Sequence, residues 1–215
     1  MLEELKDAAN YLEKKIRKYK DTDLALIELE KEAESEKIPI ITREVSEYLK
    51  FVIRSYNIKD VLEIGTATGY SGVIIAKEIE ESNGILYTIE IDEVRYNKAL
   101  KNFEKFQIKN IIPVKGDALE EISKLEKTFD MVFIDASKGH YMNFFEDSYK
   151  ILKKNGIMFI DNILFRGYLY KDHPKRFKTI VGRLDKFIEY LYSKEDNFVL
   201  LPFGDGVGIL KKREG

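Results

Sequence analysis

DVLEIGTATGYSG, residues 60–72, is the stretch whose reading decides the fold. The apolar run Val61-Leu62-Glu63-Ile64 stops at Gly65, and after a turn of small residues Tyr70 to Ile79 resumes at helical spacing. That pattern is a buried parallel strand handing over to a helix, the arrangement that opens a nucleotide-binding crevice. A glycine-rich turn alone is equally a plain tight turn, so its neighbours must decide.

The glycine spacing narrows the ligand. A dinucleotide fingerprint needs G-x-G-x-x-G so that a pyrophosphate can rest on backbone N–H groups at the helix start. Here the glycines are Gly65, Gly69 and Gly72, which does not fit. Glu63, two residues before Gly65, would repel a pyrophosphate but suits a ligand with a cationic amino-acid end, as S-adenosylmethionine has. The next apolar run, Ile85 to Ile89, ends in Glu90, 25 residues after Gly65, where a strand-end carboxylate can accept both hydroxyls of a ribose. Two acids on adjacent strand ends favour an adenosyl cofactor.

The bulk properties set limits. At 215 residues the chain fits one domain spanning 1–215, with residues 1–37 as a helical extension. With no cysteine, disulfides, thiolate zinc sites and cysteine nucleophiles are excluded, and two histidines, His140 and His173, make a histidine metal cluster improbable. The first ten residues lack an apolar signal core, and no apolar run approaches the roughly 18 residues of a membrane span, so a cytoplasmic protein with no membrane partner is expected. A net charge of -2 announces no nucleic acid from the molecule as a whole.

Before the crevice strand, residues 2–19 read as an amphipathic helix with Leu5, Ala8, Ala9, Leu12, Ile16 and Tyr19 on one stripe, and residues 22–36 as a second helix, acidic outside. Ile38-Pro39-Ile40-Ile41 is an extended apolar run, placed to lie over a cofactor, that leads into a helix with Thr42 as N-cap. After Glu90, Asp92 caps a helix to about Phe106, Asn110–Val114 is the third strand, and Asp117 is both a helix cap and a candidate adenine contact. Phe129–Ile134 and Gly156–Ile160 are the fourth and fifth strands, and Phe198–Leu201 with Val207–Leu210 form a terminal hairpin around Pro202-Phe203-Gly204-Asp205-Gly206. Strands alternating with helices predict a doubly wound, Rossmann-like, mostly parallel α/β sheet whose ligands gather at the carboxyl ends of the strands.

The chemistry concentrates at two such ends. Asp135 follows the fourth strand, Asp161 and Asn162 the fifth. Two carboxylates and an amide oxygen, away from sulfur, form a hard oxygen site suited to Mg²⁺, with positions left for a substrate bearing two neighbouring oxygens. Lys138, three residues after Asp135, is placed to take a hydroxyl proton or stabilise the oxyanion. The bland alternative makes both aspartates helix caps and Lys138 a surface lysine. From Arg166 to Lys186, seven Lys or Arg stand against two Asp, and Lys14, Lys15, Arg17, Lys18 and Lys20 form a second basic cluster on a helix face.

VLEIGTATGYS, YTIEID, GDALE, FDMVFIDASKGHY, GIMFIDNILFRG and LPFGDGVGI, in this order over residues 38–210, resemble the cation-dependent O-methyltransferases that include the catechol and caffeoyl-coenzyme A enzymes. The resemblance implies the seven-stranded methyltransferase sheet with an antiparallel C-terminal hairpin, S-adenosylmethionine and Mg²⁺ as cofactors, and a homodimer. It also implies Asp135, Asp161 and Asn162 as metal ligands, Lys138 as the catalytic lysine, and cofactor contacts from Ile41, Glu63, Gly65, Ser71, Glu90, Asp117, Ala118 and Asp135. Ser137 stands where the catechol enzymes carry a tryptophan, and Ala67 where they carry a tyrosine, so their substrate details do not transfer. IPII, DASKGHYMNFF and DNILFRGYL look most like the bacterial tRNA 5-hydroxyuridine methyltransferases, which make 5-methoxyuridine at the wobble position. That likeness implies an anticodon loop as partner, met by Arg166, Lys171, Lys175, Arg176 and Lys178, with a small catechol-like or acyl-coenzyme A acceptor as the alternative.

Overall fold

A computed structural model describes residues 2–20, 23–194 and 197–214. Seven strands form one sheet: β1 (Val61–Ile64), β2 (Leu86–Glu90), β3 (Ile111–Lys115), β4 (Phe129–Ile134), β5 (Leu152–Ile160), β6 (Asn197–Leu201) and β7 (Val207–Lys211). Their order is β3-β2-β1-β4-β5-β7-β6. Pairings among β1 to β5 are parallel, and β7 runs antiparallel between β5 and β6. This is the predicted α/β architecture with its C-terminal hairpin. The chain winds outward from β1 to β3, then returns to β4 on the other side of β1, so the crevice opens where β1 and β4 end side by side.

Period-two alternation divides the apolar residues between two layers. In β5, Ile157 and Phe159 face one cluster with Leu49 and Ile75, while Met158 and Ile160 face another with Phe145 and Phe187. Helices cover both faces: α3 (Arg43–Ser55) and α4 (Tyr70–Glu80) on the first, α7 (Tyr141–Ile151) and α8 (Lys178–Ser193) on the second. Because both faces are covered, the strands read as continuous apolar runs. Pro113 sits in β3, the edge strand, where its missing N–H costs no ladder bond on the open side.

Helix starts follow from their caps. Asp92 accepts the Arg95 N–H at 2.8 Å to begin α5 (Glu93–Lys105), and Asp117 accepts the Leu119 N–H at 3.0 Å to begin α6 (Ala118–Glu121). Thr42 occupies the N-cap position of α3, yet its side chain makes no cap hydrogen bond. Neither Asp135 nor Asp161 is an N-cap, since α7 starts after His140. The helix-cap explanation of those two carboxylates is thereby removed.

The N-terminal helices differ from expectation in burial. α1 (Leu2–Lys20) packs on α3, and α2 (Leu24–Ser35) on α4. Of the expected buried stripe, Ala9 and Ile16 are half-buried while Ala8, Leu12 and Tyr19 are exposed, Tyr19 at 64%. The Leu5 side chain lies outside the described residues. α3, with α2 touching through Arg17 and Glu30, covers one side of a cylinder, which is too little for a six-residue stripe. Among the described residues no helix is long and apolar enough to cross a membrane.

Gly65 holds the crevice together. Its φ is +99°, and a Cβ there would stand 2.1 Å from the Asp135 carbonyl oxygen. Both the left-handed backbone and the close approach of β1 to β4 therefore require glycine. Gly65→Ala is expected to lower the unfolding free energy by about 2 kcal/mol or more. Denaturant titration of purified variants checks this, and an unchanged midpoint would show that the two strand ends can move apart at no cost.

Candidate active site

A cavity of about 810 Å³ lies along the carboxyl ends of the strands, within the usual range for small-molecule sites. Of the expected site residues, Gly65, Glu90, Asp117, Ala118, Asp135, Lys138, Asn162 and Arg166 stand in its wall. Sequence reasoning missed Ile91 and Arg95 after β2, His140 and Phe144 at the start of α7, and Asp205 from the β6–β7 turn. Arg95 had a usable signal, standing in the first turn of the helix that follows Glu90. Asp205 had none, because its approach depends on the hairpin's placement in the sheet.

The end nearest β1 and β2 suits an adenosyl ligand. Glu90 accepts the Ala67 N–H at 2.8 Å and the Asp92 N–H at 2.9 Å, one on each oxygen. Its carboxylate therefore shapes the Thr66–Thr68 turn, where Ala67 has a left-handed φ of 47°, while its remaining lone pairs face the cavity. The extended run before α3 reaches the cavity, with Pro39, Ile40 and Thr42 in the wall. Ile41 alternates away from them and is buried in the core.

Glu63 and Ser71 also lie away from the wall, immediately behind it. Glu63 is fully buried and accepts the Ser71 and Thr88 hydroxyls, each at 2.5 Å; Thr88 is in turn 2.5 Å from the Thr66 hydroxyl. Burial pushes the Glu63 carboxyl up to about 7; the two hydrogen bonds oppose this and the charges of Asp135 and Glu90 reinforce it. The residue expected to meet the ligand's ammonium end thus serves here as the hub of a polar chain supporting the turn.

The other end gathers oxygen donors. Asp161 is 1% exposed; its Oδ1 accepts the Asn162 N–H at 2.7 Å, and its buried Oδ2 has no hydrogen-bond partner among the described residues. Burial first, then the Asp135 charge, pushes the Asp161 carboxyl up to about 8. Tyr141, buried beneath, donates its hydroxyl to the Asp161 carbonyl at 2.8 Å and fixes the end of β5. The Lys138 ammonium donates to Asn162 Oδ1 at 2.9 Å and lies 3.4 Å from Asp135 Oδ1. A buried oxygen without a partner, beside two more oxygens already turned toward one ammonium, fits a hard divalent cation in donor type and charge. Among the described residues no group of three or more His, Cys, Asp or Glu is arranged to hold a metal, and this set differs in using the Asn162 amide.

The basic candidates divide. Arg166 is in the wall, whereas Lys171, Lys175, Arg176 and Lys178 are exposed outside the cavity. Arg176 sits on an aromatic cluster, 4.8 Å over Phe177, in which Phe165 and Phe177 lie 5.3 Å apart edge to face and Tyr168 and Phe177 are stacked at 5.4 Å; Lys171 lies over the neighbouring Tyr170. Phe165 joins this cluster to the cavity mouth.

The chain is similar to known proteins along most of its length. The O-methyltransferase family matches residues 17–213. Tapetum-specific methyltransferase 1 of Arabidopsis thaliana is 33% identical over 77% of this chain and 74% of its own length. Caffeoyl-CoA O-methyltransferase 1 of Zea mays is 30% identical over 77% and 69%. A Staphylococcus aureus structure provisionally assigned as a caffeoyl-CoA O-methyltransferase superposes with a TM-score of 0.88 at 28% identity, covering 95% of this chain and 99% of that one.

The raised Glu63 carboxyl makes stability depend on pH. A folded value near 7 against an ordinary 4.5 means that the folded chain holds the proton more tightly, so this contribution is complete below pH 4.5 and lost as pH rises toward 7. The loss is at most about 3 kcal/mol. Urea titrations of ligand-free protein from pH 5 to 8 are expected to show wild type losing more stability than Glu63→Gln, which carries no titrating proton. Parallel pH curves would mean that Glu63 ionises as freely when folded as when unfolded.

Proposed function

The chain belongs to the O-methyltransferase family, and on that premise we propose that it moves the methyl group of S-adenosylmethionine to a hydroxyl of a small acceptor with a second oxygen beside it, catechol-like or an acyl-coenzyme A ester. The observation that carries the proposal is that Asp135 and Asn162 turn side-chain oxygens toward one ammonium in the same cavity wall as Gly65 and Glu90, while Asp161, next in the chain to Asn162 and outside the wall, buries a carboxylate oxygen that has no partner among the described residues. The acceptor class is supported by relatives whose names specify caffeoyl-CoA.

Asp135, Asp161 and Asn162 would hold a divalent cation, Mg²⁺ being the natural choice for all-oxygen ligands. When bound, it would lower the pKa of an acceptor hydroxyl and orient it, as the cofactor would supply an electrophilic methyl. The chain's own residues do the rest. Glu90 holds the turn above β1 and offers its free lone pairs to a ribose, while the Asp117 and Ala118 segment closes the adenine end. Lys138, next to Asn162 Oδ1, stands where as a neutral amine it can take the hydroxyl proton, and where as an ammonium it can hold the oxygen as an anion. Ile40 and Phe165 keep water from the two sides of the cavity, which strengthens each of these contacts.

A second reading is favoured by one specific observation, the basic segment whose Arg176 lies over the Phe165, Tyr168 and Phe177 cluster. Cations for phosphates beside rings for bases suit an RNA loop, and 5-hydroxyuridine at the tRNA wobble position presents neighbouring oxygens as catechol does.

Methyl transfer from labelled S-adenosylmethionine to caffeoyl-coenzyme A, to a catechol, and to tRNA containing 5-hydroxyuridine separates the two readings. Transfer to the tRNA alone would select the second. With whichever acceptor is methylated, chelator should abolish turnover and Mg²⁺ restore it; full activity in excess chelator would remove the cation. Lys138→Met should lower turnover by about 10²-fold with cofactor affinity nearly unchanged. A wild-type rate in that variant would make Lys138 a bystander.

A further inference from the structure

The segment after β5 is held in an unusual conformation. Asn162, Phe165, Arg166 and Gly167 all have positive φ, at 54°, 46°, 59° and 75°. Asparagine and glycine adopt this region readily, but an aromatic and an arginine in succession do so only where their surroundings impose it. These residues bear directly on the site: Asn162 is a candidate cation ligand, and Phe165 and Arg166 form the mouth beside the acceptor end.

What imposes the conformation is the β6–β7 turn, some 40 residues downstream. The Ile163 N–H donates to the Gly206 carbonyl at 3.0 Å and the Leu164 N–H to the Asp205 carbonyl at 2.9 Å. The Arg166 N–H donates to Asp205 Oδ1 at 2.5 Å. Gly206 closes tightly on Leu164, since a Cβ there would meet its Cγ at 2.3 Å. Two of these contacts are to backbone carbonyls, which any sequence provides. The Asp205 side chain alone is specific, and it reaches the residue whose φ is least natural. It is half-buried in the cavity wall and faces Lys138 and Arg166 electrostatically.

We propose that Asp205 is the positioning residue of the acceptor side: its carboxylate locks the Asn162–Gly167 turn in the left-handed form and thereby sets Asn162 and Phe165 on the cavity wall. In its consequence for cation binding the proposal rests on the function proposed above, whereas the lock itself does not. The hydrogen bond is the working element, so an amide oxygen should replace the carboxylate and a methyl group should not.

Asp205→Ala and Asp205→Asn are compared with wild type by three measurements on the full chain. Amide hydrogen exchange of a peptide covering residues 162–170 should accelerate at least 10-fold in the alanine variant and stay within about threefold in the asparagine variant. Calorimetric affinity for Mn²⁺ should fall at least 10-fold in alanine and recover in asparagine. Affinity for S-adenosylhomocysteine should stay within about twofold in both, which a general loss of folding would not allow. Wild-type exchange in Asp205→Ala would overturn the proposal, and so would equal failure of both variants, which would assign the effect to charge. If wild type itself binds no Mn²⁺, the cation of the proposed function fails, and the exchange comparison alone judges Asp205.

Discussion

The closest approach in the molecule that no other residue would permit is that of Gly65 to the Asp135 carbonyl. Everything at the site is laid out from it. With β1 and β4 ending side by side, the turn after β1 and the loop after β4 share one crevice, and Asp135 serves two neighbourhoods at once. On one side its charge reaches the buried Glu63, and on the other it reaches Asp161. The crevice concentrates acids in a chain of nearly balanced overall charge, and that local excess favours ligands that bring positive charge into it.

Much of this was legible in the sequence because it depends on local signals. Glycines at 65, 69 and 72, acids ending successive apolar runs, and aspartates before helices report features decided by a residue and its near neighbours. The mostly parallel sheet followed from strands alternating with helices and the terminal hairpin from the turn residues around Gly204, while the order of the strands did not. Placement relative to the wall was not legible. Ile41 was expected to touch the cofactor, and the residues that line the cavity are Ile40 and Thr42 on either side of it, in a run apolar on both phases. Glu63 was expected at the ligand's ammonium end, and a strand buried on both sides gives no sign that its single acid would take the α4 face, beside Ser71.

The exposed stripe of α1 and the role of Asp205 were illegible for another reason. Amphipathic spacing states that a face is apolar, and the partner that covers it lies elsewhere. Asp205 sits in a phrase that reads as turn chemistry and nothing more. Its contact with Arg166 exists only because β7 inserts beside β5 and carries the turn to the mouth of the cavity. The basic segment lies between these cases: its charge was countable in the sequence, but the placing of Arg176 over Phe177 and its two ring neighbours was not.

The insertion of β7 between β5 and β6 also orders events during synthesis. Strands β1 to β5 pair through connections complete by Ile160, so the parallel half of the sheet and its cofactor end can condense while later residues are still being added. β6 is made before its sole neighbour and must wait, and the outer edge of β5 stays open until Val207–Lys211 arrives to cover it. A nascent chain therefore passes through a stage with an unpaired apolar edge at Ile157–Ile160, and that interval is when it is most prone to pair with the wrong strand.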